Sequence, residues 1–189
     1  MDTKAKILSC ALSMFAVKGF NHISIRDIAK SVGIKESSIY YHFKNKQDIF
    51  NHLLADIQSQ MQLMKMKFNE RFSAVTEVTE DEFIAVALHY RRAFFEAEPF
   101  VQFIGMLSIE RLSNPDAEKV FQELIFNTPL AHQEKIFQQM MERGIFRSTD
   151  ARSLAKEYQY AIYGAFMNKD TDQELSILIQ RIYQREILI

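Results

Sequence analysis

The chain has 189 residues, of which 48% are apolar, and its formal net charge at pH 7 is -1. This composition, with only 5 Gly and 3 Pro, favours a compact helical protein with a sizeable core over a loop-rich or disordered one. The single cysteine, Cys10, excludes an internal disulfide and a cysteine-cluster metal site, and we predict that it is a small buried residue. The sequence shows no signal-peptide core and no apolar run of the roughly 20 residues that a membrane span needs, so we expect a cytoplasmic protein without a membrane partner.

Charge is distributed unevenly along the chain. Residues 1–52 hold eight Lys or Arg and four acidic residues, whereas the remainder holds 15 basic and 20 acidic residues. A basic N-terminal part on an acidic body indicates that the first part meets a polyanion, although a solvated helical surface can show the same excess.

Three short helices are predicted in the N-terminal part. Apolar residues recur at helical spacing up to Gly19, which is a natural helix stop. Ser24 with Asp27 predicts a capping box at the start of a second helix, and Gly33 ends it. A third helix is expected at about 35–42.

The rest of the chain is also predicted to be helical. A long fourth helix is expected from Asn45 to about residue 72, and Thr79 with Glu82 predicts the capping box of the next one. Three prolines are suited to first helical turns: Pro99, Pro115 and Pro129. Asn114 and Thr128 precede the last two, and we expect them to cap those helices. Because no strand alternation is sustained, we predict an all-α fold with about nine or ten helices.

The second and third helices have helix-turn-helix spacing. Ile28, Ile39 and Phe43 can all point toward the first helix, and Gly33 can take the positive φ of a tight turn. An ordinary helical hairpin with a polar face is the alternative interpretation. The third helix favours DNA binding because its outward residues carry hydrogen-bond donors and aromatic edges suited to a major groove; they are Lys35, Ser37, Ser38, Tyr41 and His42.

The stretch from Ile23 to Phe50, ISIRDIAKSVGIKESSIYYHFKNKQDIF, closely resembles the DNA-binding module of the TetR family of bacterial transcriptional repressors. The turn glycine, the tyrosine, the His-Phe pair and the lysine all fall at the family's spacing. The resemblance covers residues 3 to about 52, and the remaining body matches only in size and helical character. It implies a helix-turn-helix DNA-binding domain at residues 1–46 and a helical effector-binding and dimerisation domain at residues 47–189.

The resemblance also implies a role for each matched residue. Ser24 corresponds to a phosphate-binding helix cap, and Arg26 to a residue that reaches a base or a phosphate. Groove-facing positions are occupied by Ser37, Ser38 and Tyr41, and positions that contact the DNA backbone by Tyr40, His42 and Lys46. Tyr40 and His42 have packing roles as alternatives, whereas a lysine at a helix start is unfavourable to the helix dipole unless a phosphate lies nearby.

Two positions depart from the family pattern. Lys35 stands where members commonly have Ser or Thr, and Ser37 where many have Gly. Each change alters the surface that would face DNA, so another member's operator sequence cannot be assumed.

The resemblance implies a homodimer whose two recognition helices enter successive major grooves of a pseudo-palindromic operator. Two apolar stripes are candidate dimer surfaces, with intramolecular core as the alternative for each. The stripes consist of Leu154, Tyr158, Ala161, Ile162 and Ala165, and of Ile136, Phe137, Met140 and Met141.

An effector pocket is expected in the body, where aromatic and methionine residues suit an adaptable apolar cavity. Core packing is the competing interpretation for every one of them. The candidate ligand-binding residues are Met61, Met64, His89, Tyr90, Phe94, Phe103, Met106 and Tyr158. They predict a small hydrophobic or amphipathic effector.

The sequence therefore predicts a ligand-responsive DNA-binding repressor that is not an enzyme and needs no cofactor or metal. One alternative is a helical DNA-binding protein whose body docks a protein partner. A small helical enzyme is another, but the five histidines show no metal motif and no nucleophile–base pairing.

Overall fold

The computed structural model describes residues 2–72 and 77–187, and for residues 64–72 it describes the main chain only. Within these ranges the protein consists of helices and contains no strand, which confirms the all-α prediction. The α-helices are α1 Thr3–Lys18, α2 Ile25–Val32, α3 Glu36–His42, α4 Lys46–Phe72, α5 Glu80–Arg91, α6 Phe100–Glu110, α7 Pro115–Gln122, α8 Thr128–Glu142, α9 Ala151–Asn168 and α10 Asp172–Ile182. Three π-helical segments continue helices, at Arg92–Glu96, Glu123–Asn127 and Tyr183–Ile187.

Most of the predicted helix starts are confirmed by their capping hydrogen bonds. Ser24 and Thr79 each accept from the main-chain N–H three residues on, and Asp27 and Glu82 accept from the two cap residues in return. Asn114 caps α7, since its Oδ1 accepts from the N–H of Asp116 at 3.0 Å and of Ala117 at 3.3 Å. These side chains satisfy donors that a helix start leaves without intrahelical partners.

The predicted N-cap at Thr128 is wrong, because helical backbone runs unbroken from Pro115 through Glu142. Pro129 has no N–H and cannot donate to the carbonyl of Ile125, four residues earlier. The chain passes this point as a π-helical segment, and the Nε2 of Gln159 donates to the Ile125 oxygen at 2.6 Å. A side chain from α9 thus replaces the missing main-chain donor.

The chain forms two compact units. The first comprises the residues up to Gln62 together with Glu98–Phe121. Its core includes the predicted apolar residues Ile28, Ile39 and Phe43, each at most 1% exposed. Cys10 is half-buried rather than fully buried.

Helix α6 packs closely on α1 within the first unit. A Cβ added at Gly105 would lie 3.2 Å from the main-chain oxygen of Ala16, so only glycine permits this approach without movement. Ser13 Oγ also donates to Gln102 Oε1 at 3.1 Å.

The second unit comprises Leu63–Ala97 and the residues from Gln122 onward. Its core is rich in aromatic rings, such as Phe83, which lies 5.0 Å from the ring of Tyr158 between centroids. Over the described ranges, no helix has both the length and the apolar run required to cross a bilayer.

The two stripes predicted as dimer surfaces pack mostly inside this unit. Leu154, Tyr158, Ile162 and Ala165 are at most 4% exposed, and Ile136, Phe137 and Met140 are at most 8% exposed. Intramolecular core is therefore the right interpretation of these side chains and the dimer surface the wrong one, because contacts within one protomer already bury them.

Candidate nucleic-acid interface

The turn between α2 and α3 depends on Gly33. Its φ of 77° and ψ of 33° are left-handed, whereas a Cβ placed there would have no heavy atom within 4 Å. Conformation rather than space therefore requires glycine at this position. The Ile34 N–H donates to the Ala29 oxygen at 3.0 Å and ends α2 before α3 begins.

Helix α3 has one buried side and one outward side. Ile39 is fully buried, while Tyr41 is 86% exposed and Tyr40 is 54% exposed. Lys35 and Ser37 are exposed as well, and Ser38 and His42 are half-buried. The Tyr41 ring packs edge-on against His42 with centroids 5.1 Å apart. The outward side thus combines hydroxyl, phenol and ammonium groups that can approach DNA bases and phosphates.

Two further predicted contacts lie at the start of α2. Ser24 Oγ accepts from the Asp27 N–H at 3.1 Å and donates to Asp27 Oδ2 at 2.5 Å, and this bond from Ser24 is the main cause that lowers the pKa of Asp27. Arg26 extends into solvent with an 85% exposed side chain, and its Nε lies 3.8 Å from Glu36 Oε1. Because such an exposed ion pair is weak, Arg26 remains available to a phosphate or a base.

Lys46 occupies a different environment from the other predicted DNA contacts. Its Nζ donates to the main-chain oxygens of Phe20 at 2.7 Å and Ile23 at 2.8 Å, and it lies 4.1 Å from the centroid of the Phe20 ring. Burial lowers the pKa of this ammonium, while the carboxylate of Glu110 acts in the opposite direction. An ammonium has three hydrogens, so a phosphate contact by Lys46 stays a prediction beside this internal role.

Glu110 is a residue that the sequence patterns did not single out. It is 5% exposed at the end of α6, and its Oε1 accepts from the Phe20 N–H at 2.7 Å. The available signal was one carboxylate at the end of the otherwise uncharged helix FVQFIGMLSIE. That pattern suggests a buried acid but does not identify a partner 90 residues earlier.

A family model of known proteins matches the part of the chain that contains the helix-turn-helix. The family model for bacterial regulatory proteins of the tetR family matches residues 7–53, from within α1 to within α4. Residues 7–53 of the chain therefore match the N-terminal DNA-binding module of the tetR family.

Curated relatives match the chain over the same N-terminal part. IcaR of Staphylococcus epidermidis, a negative transcriptional regulator of the biofilm operon icaADBC, is 45% identical over 47 residues, which is 25% of each chain. AcrR of Shigella flexneri, a transcriptional regulator, is 31% identical over 71 residues, or 38% of this chain and 33% of AcrR. The matches therefore span a third or less of these relatives.

Solved structures resemble the chain over nearly its whole length. A protein from Mesorhizobium loti named as a TetR-family transcriptional regulator superposes with a TM-score of 0.73 over 98% of this chain and 97% of its own, at 17% identity. The fatty acid degradation regulator FadR of Bacillus halodurans gives a TM-score of 0.64 over 97% and 94%, at 19% identity. At these identities the similarity shows the fold alone.

The predicted ligand-binding residues are divided between the two units of the chain. Met61, Phe103 and Met106 are buried in the first unit. Tyr90, Phe94 and Tyr158 are buried in the second, whereas His89 is exposed and the side chain of Met64 lies outside the described residues. The rings of Tyr90 and Phe94 stack with centroids 5.3 Å apart. The second unit therefore brings three of the predicted residues into its core.

A buried polar cluster in the second unit was not predicted. Gln133 Nε2 donates to Gln159 Oε1 at 2.9 Å, and Gln159 Nε2 donates to the Ile125 oxygen at 2.6 Å. Burial raises the pKa of both Tyr90 and Tyr158, so these phenols stay neutral. Gln133 Oε1 is buried without a hydrogen-bond partner among the described residues. Pro129 was the sequence signal, because a proline inside a helix leaves a carbonyl that needs another donor.

Proposed function

We propose that this chain is a transcriptional repressor that binds a pseudo-palindromic DNA operator as a homodimer and is released by a small hydrophobic or amphipathic effector. The observation that carries the proposal is the outward side of α3, where Tyr41 is 86% exposed within the segment that matches the tetR family. An exposed aromatic side chain is suited to contact with a major groove when the opposite side of its helix is buried, as Ile39 is here.

We assign functions to the two parts of the chain as the sequence predicts. We assign DNA binding to residues 1–46 and effector binding and dimerisation to residues 47–189. Ser37, Ser38 and Tyr41 read bases, and Lys35, Tyr40 and His42 contact the backbone or the groove edge. Ser24 and Lys46 hold phosphates at the helix starts, and Arg26 reaches a base or a phosphate.

Repression is supported by the similarity to IcaR, which is a negative transcriptional regulator. A protein acting on bacterial DNA works in the cytoplasm, and the proposal assigns no enzymatic activity and no cofactor.

The proposed effector class is supported by the side chains in the core of the second unit. Tyr90, Phe94 and Tyr158 supply apolar ring surface, and neutral phenols and amides supply hydrogen bonds without charge. Gln133 Oε1 adds an acceptor that an effector hydroxyl or amide can use. Small uncharged or amphipathic molecules therefore fit this environment better than highly charged metabolites, because a buried charge needs a paired partner.

The test is a salt-titrated binding assay with DNA from upstream of the chain's own gene and a scrambled duplex of the same length. We expect tighter binding to the upstream DNA, with an affinity that falls steeply as salt rises. Equal affinity for both duplexes, repeated with operator candidates selected from random DNA, would reject a sequence-specific regulator. A thermal-shift screen then tests the effector class, which fails if only highly charged hydrophilic compounds stabilise the protein.

A further inference from the structure

The main chain of Phe20 is held from two sides by charged residues of two later helices. Glu110 Oε1, from α6, accepts its N–H at 2.7 Å. Lys46 Nζ, from α4, donates to its oxygen at 2.7 Å and to the Ile23 oxygen at 2.8 Å. We call these four residues the Phe20 cluster; all of them belong to the first compact unit.

The carboxylate of Glu110 is closely surrounded by protein atoms. The residue is 5% exposed, and a buried carboxylate is costly unless hydrogen bonds satisfy it. Gly19 beside it has a φ of 78°, and a Cβ there would lie 3.1 Å from Glu110 Oε1 and 3.0 Å from Ile109 Cγ2. A larger residue at position 19 would therefore strain the main chain and press on the side chains of Ile109 and Glu110.

The Phe20 cluster lies directly before the DNA-binding helices. Ile23, whose oxygen Lys46 holds, is 3% exposed and precedes Ser24, the cap of α2. Fixing residues 20 and 23 fixes the entry of α2, and α3 follows α2 through the tight Gly33 turn. A change at Phe20 would thus alter how α3 is presented to DNA.

We propose that Glu110 is a positioning residue for DNA binding, which together with Lys46 fixes the Phe20 main chain and so the orientation of α2 and α3. This inference rests on the proposed function. Glu110 touches no DNA in this scheme and acts only through the Phe20 cluster.

Two substitutions separate the hydrogen bond from the volume of the side chain. Glu110→Met keeps the length of the side chain but removes the strong acceptor, while Glu110→Gln keeps an oxygen that accepts more weakly than a carboxylate. Apparent affinity falls with the fraction of molecules in the binding-competent arrangement. We expect about a tenfold loss of operator affinity for the methionine variant, because the part-buried Phe20 N–H loses its acceptor, and a smaller loss for the glutamine variant.

Asp116→Asn is the matched control, because it removes one acidic charge from an exposed position of the same unit. For every variant we would measure amide hydrogen exchange at Phe20 without DNA, affinity for operator and for random DNA, and the thermal midpoint. We expect amide exchange at Phe20 to become faster, and operator binding to become weaker, from wild type to the glutamine variant to the methionine variant. Random-DNA binding should be the same in all three. If the methionine variant does not fold, the glutamine variant decides by the same three readings.

Operator affinity of the Glu110 variants equal to that of the Asp116→Asn control would overturn the inference. So would an equal loss of operator and random-DNA binding together with a lower thermal midpoint, because that indicates general destabilisation. If the wild-type protein selects no DNA sequence, the proposed function fails and the inference fails with it; exchange at Phe20 would still report whether Glu110 holds the main chain.

Discussion

Tyr41 is the residue that we predict to contribute most directly to sequence discrimination. Its side chain is 86% exposed, so its removal changes the contact surface without opening the core. We expect Tyr41→Ala to weaken operator binding by about 1–3 kcal/mol, the range for loss of a base contact, and to leave random-DNA affinity unchanged. Paired titrations of both duplexes test this, and an unchanged operator-to-random ratio would contradict a reading role.

Lys46 combines a predicted phosphate contact with an observed internal role, and Lys35 provides the comparison. Lys46→Ala should lower both operator and random-DNA affinity and reduce the salt slope by about one. It should also lower the thermal midpoint, since the Phe20 and Ile23 oxygens lose their donor. Lys35→Ala should leave the midpoint unchanged, because Lys35 is exposed and caps α3 without a side-chain hydrogen bond. Identical midpoints for the two variants would argue against the internal role.

Among individual residues, the sequence predicts those whose role depends on residues close to them along the chain. Gly33 and the Ser24–Asp27 box were identified because a positive φ and a capping box leave local signatures. Glu110 was missed because its partner is set by tertiary packing alone. The roles of individual DNA-contacting residues stay predictions until they are measured on DNA.

The π-helical segment at Glu123–Asn127 and Gln159 form one structural element that a double-mutant cycle can test. Gln159→Leu leaves the buried Ile125 oxygen without its donor and should lower the free energy of unfolding by about 1–3 kcal/mol. In a Pro129→Ala background the new N–H can donate to Ile125, so the same change should cost less. Strictly additive effects in denaturant unfolding would show that the two sites are not coupled.

At each of four helix starts, hydrogen bonds within the N-terminal cap lower the pKa of one carboxylate. Asp27 and Asp150 owe this first to the hydroxyls of Ser24 and Ser153, and Glu82 and Glu174 to the N–H groups of their threonine caps. A lowered pKa in the folded state stabilises the protein above the unfolded value of about 4, and this contribution is lost as pH falls through the folded pKa. We expect the thermal midpoint to fall between about pH 5 and pH 3, and Glu174→Gln to reduce that dependence. A pH profile identical to wild type would exclude this contribution for Glu174.

Helix positions were largely predictable because caps and glycine stops are local. Thr128 was wrongly placed at a helix start because proline favours first turns, and the sequence alone does not reveal that Gln159 can replace the donor that Pro129 lacks.

At the scale of the whole molecule, the outward face of α9 is the candidate dimer surface. Tyr160 is 51% exposed and Met167 is 56% exposed, and Gly164 between them has no heavy atom within 4 Å of an added Cβ. These positions follow helical spacing and share one face. The sequence identified α9 but assigned its buried face to the interface, because an apolar stripe does not reveal which neighbour covers it.

Gly164→Arg should prevent dimerisation without disturbing the protomer fold, since space exists at that position within one chain. Sedimentation should report a monomer with an unchanged circular dichroism spectrum, and operator affinity should fall because one chain reaches one half-site. Gln173→Arg, an exposed change of equal charge on α10, is the control. A Gly164→Arg variant that remains dimeric would place the interface elsewhere.

The first compact unit is assembled from two separate stretches of chain, ending at Gln62 and at Phe121. A ribosome adding about 5–20 residues per second needs several seconds more to supply the second stretch. During that interval α1, α2 and α3 exist without α6, so the Phe20 N–H lacks Glu110 and the surface at Ala16 lacks Gly105. The nascent DNA-binding helices are therefore incomplete until α6 emerges, and a fragment ending near residue 62 would retain this deficiency permanently.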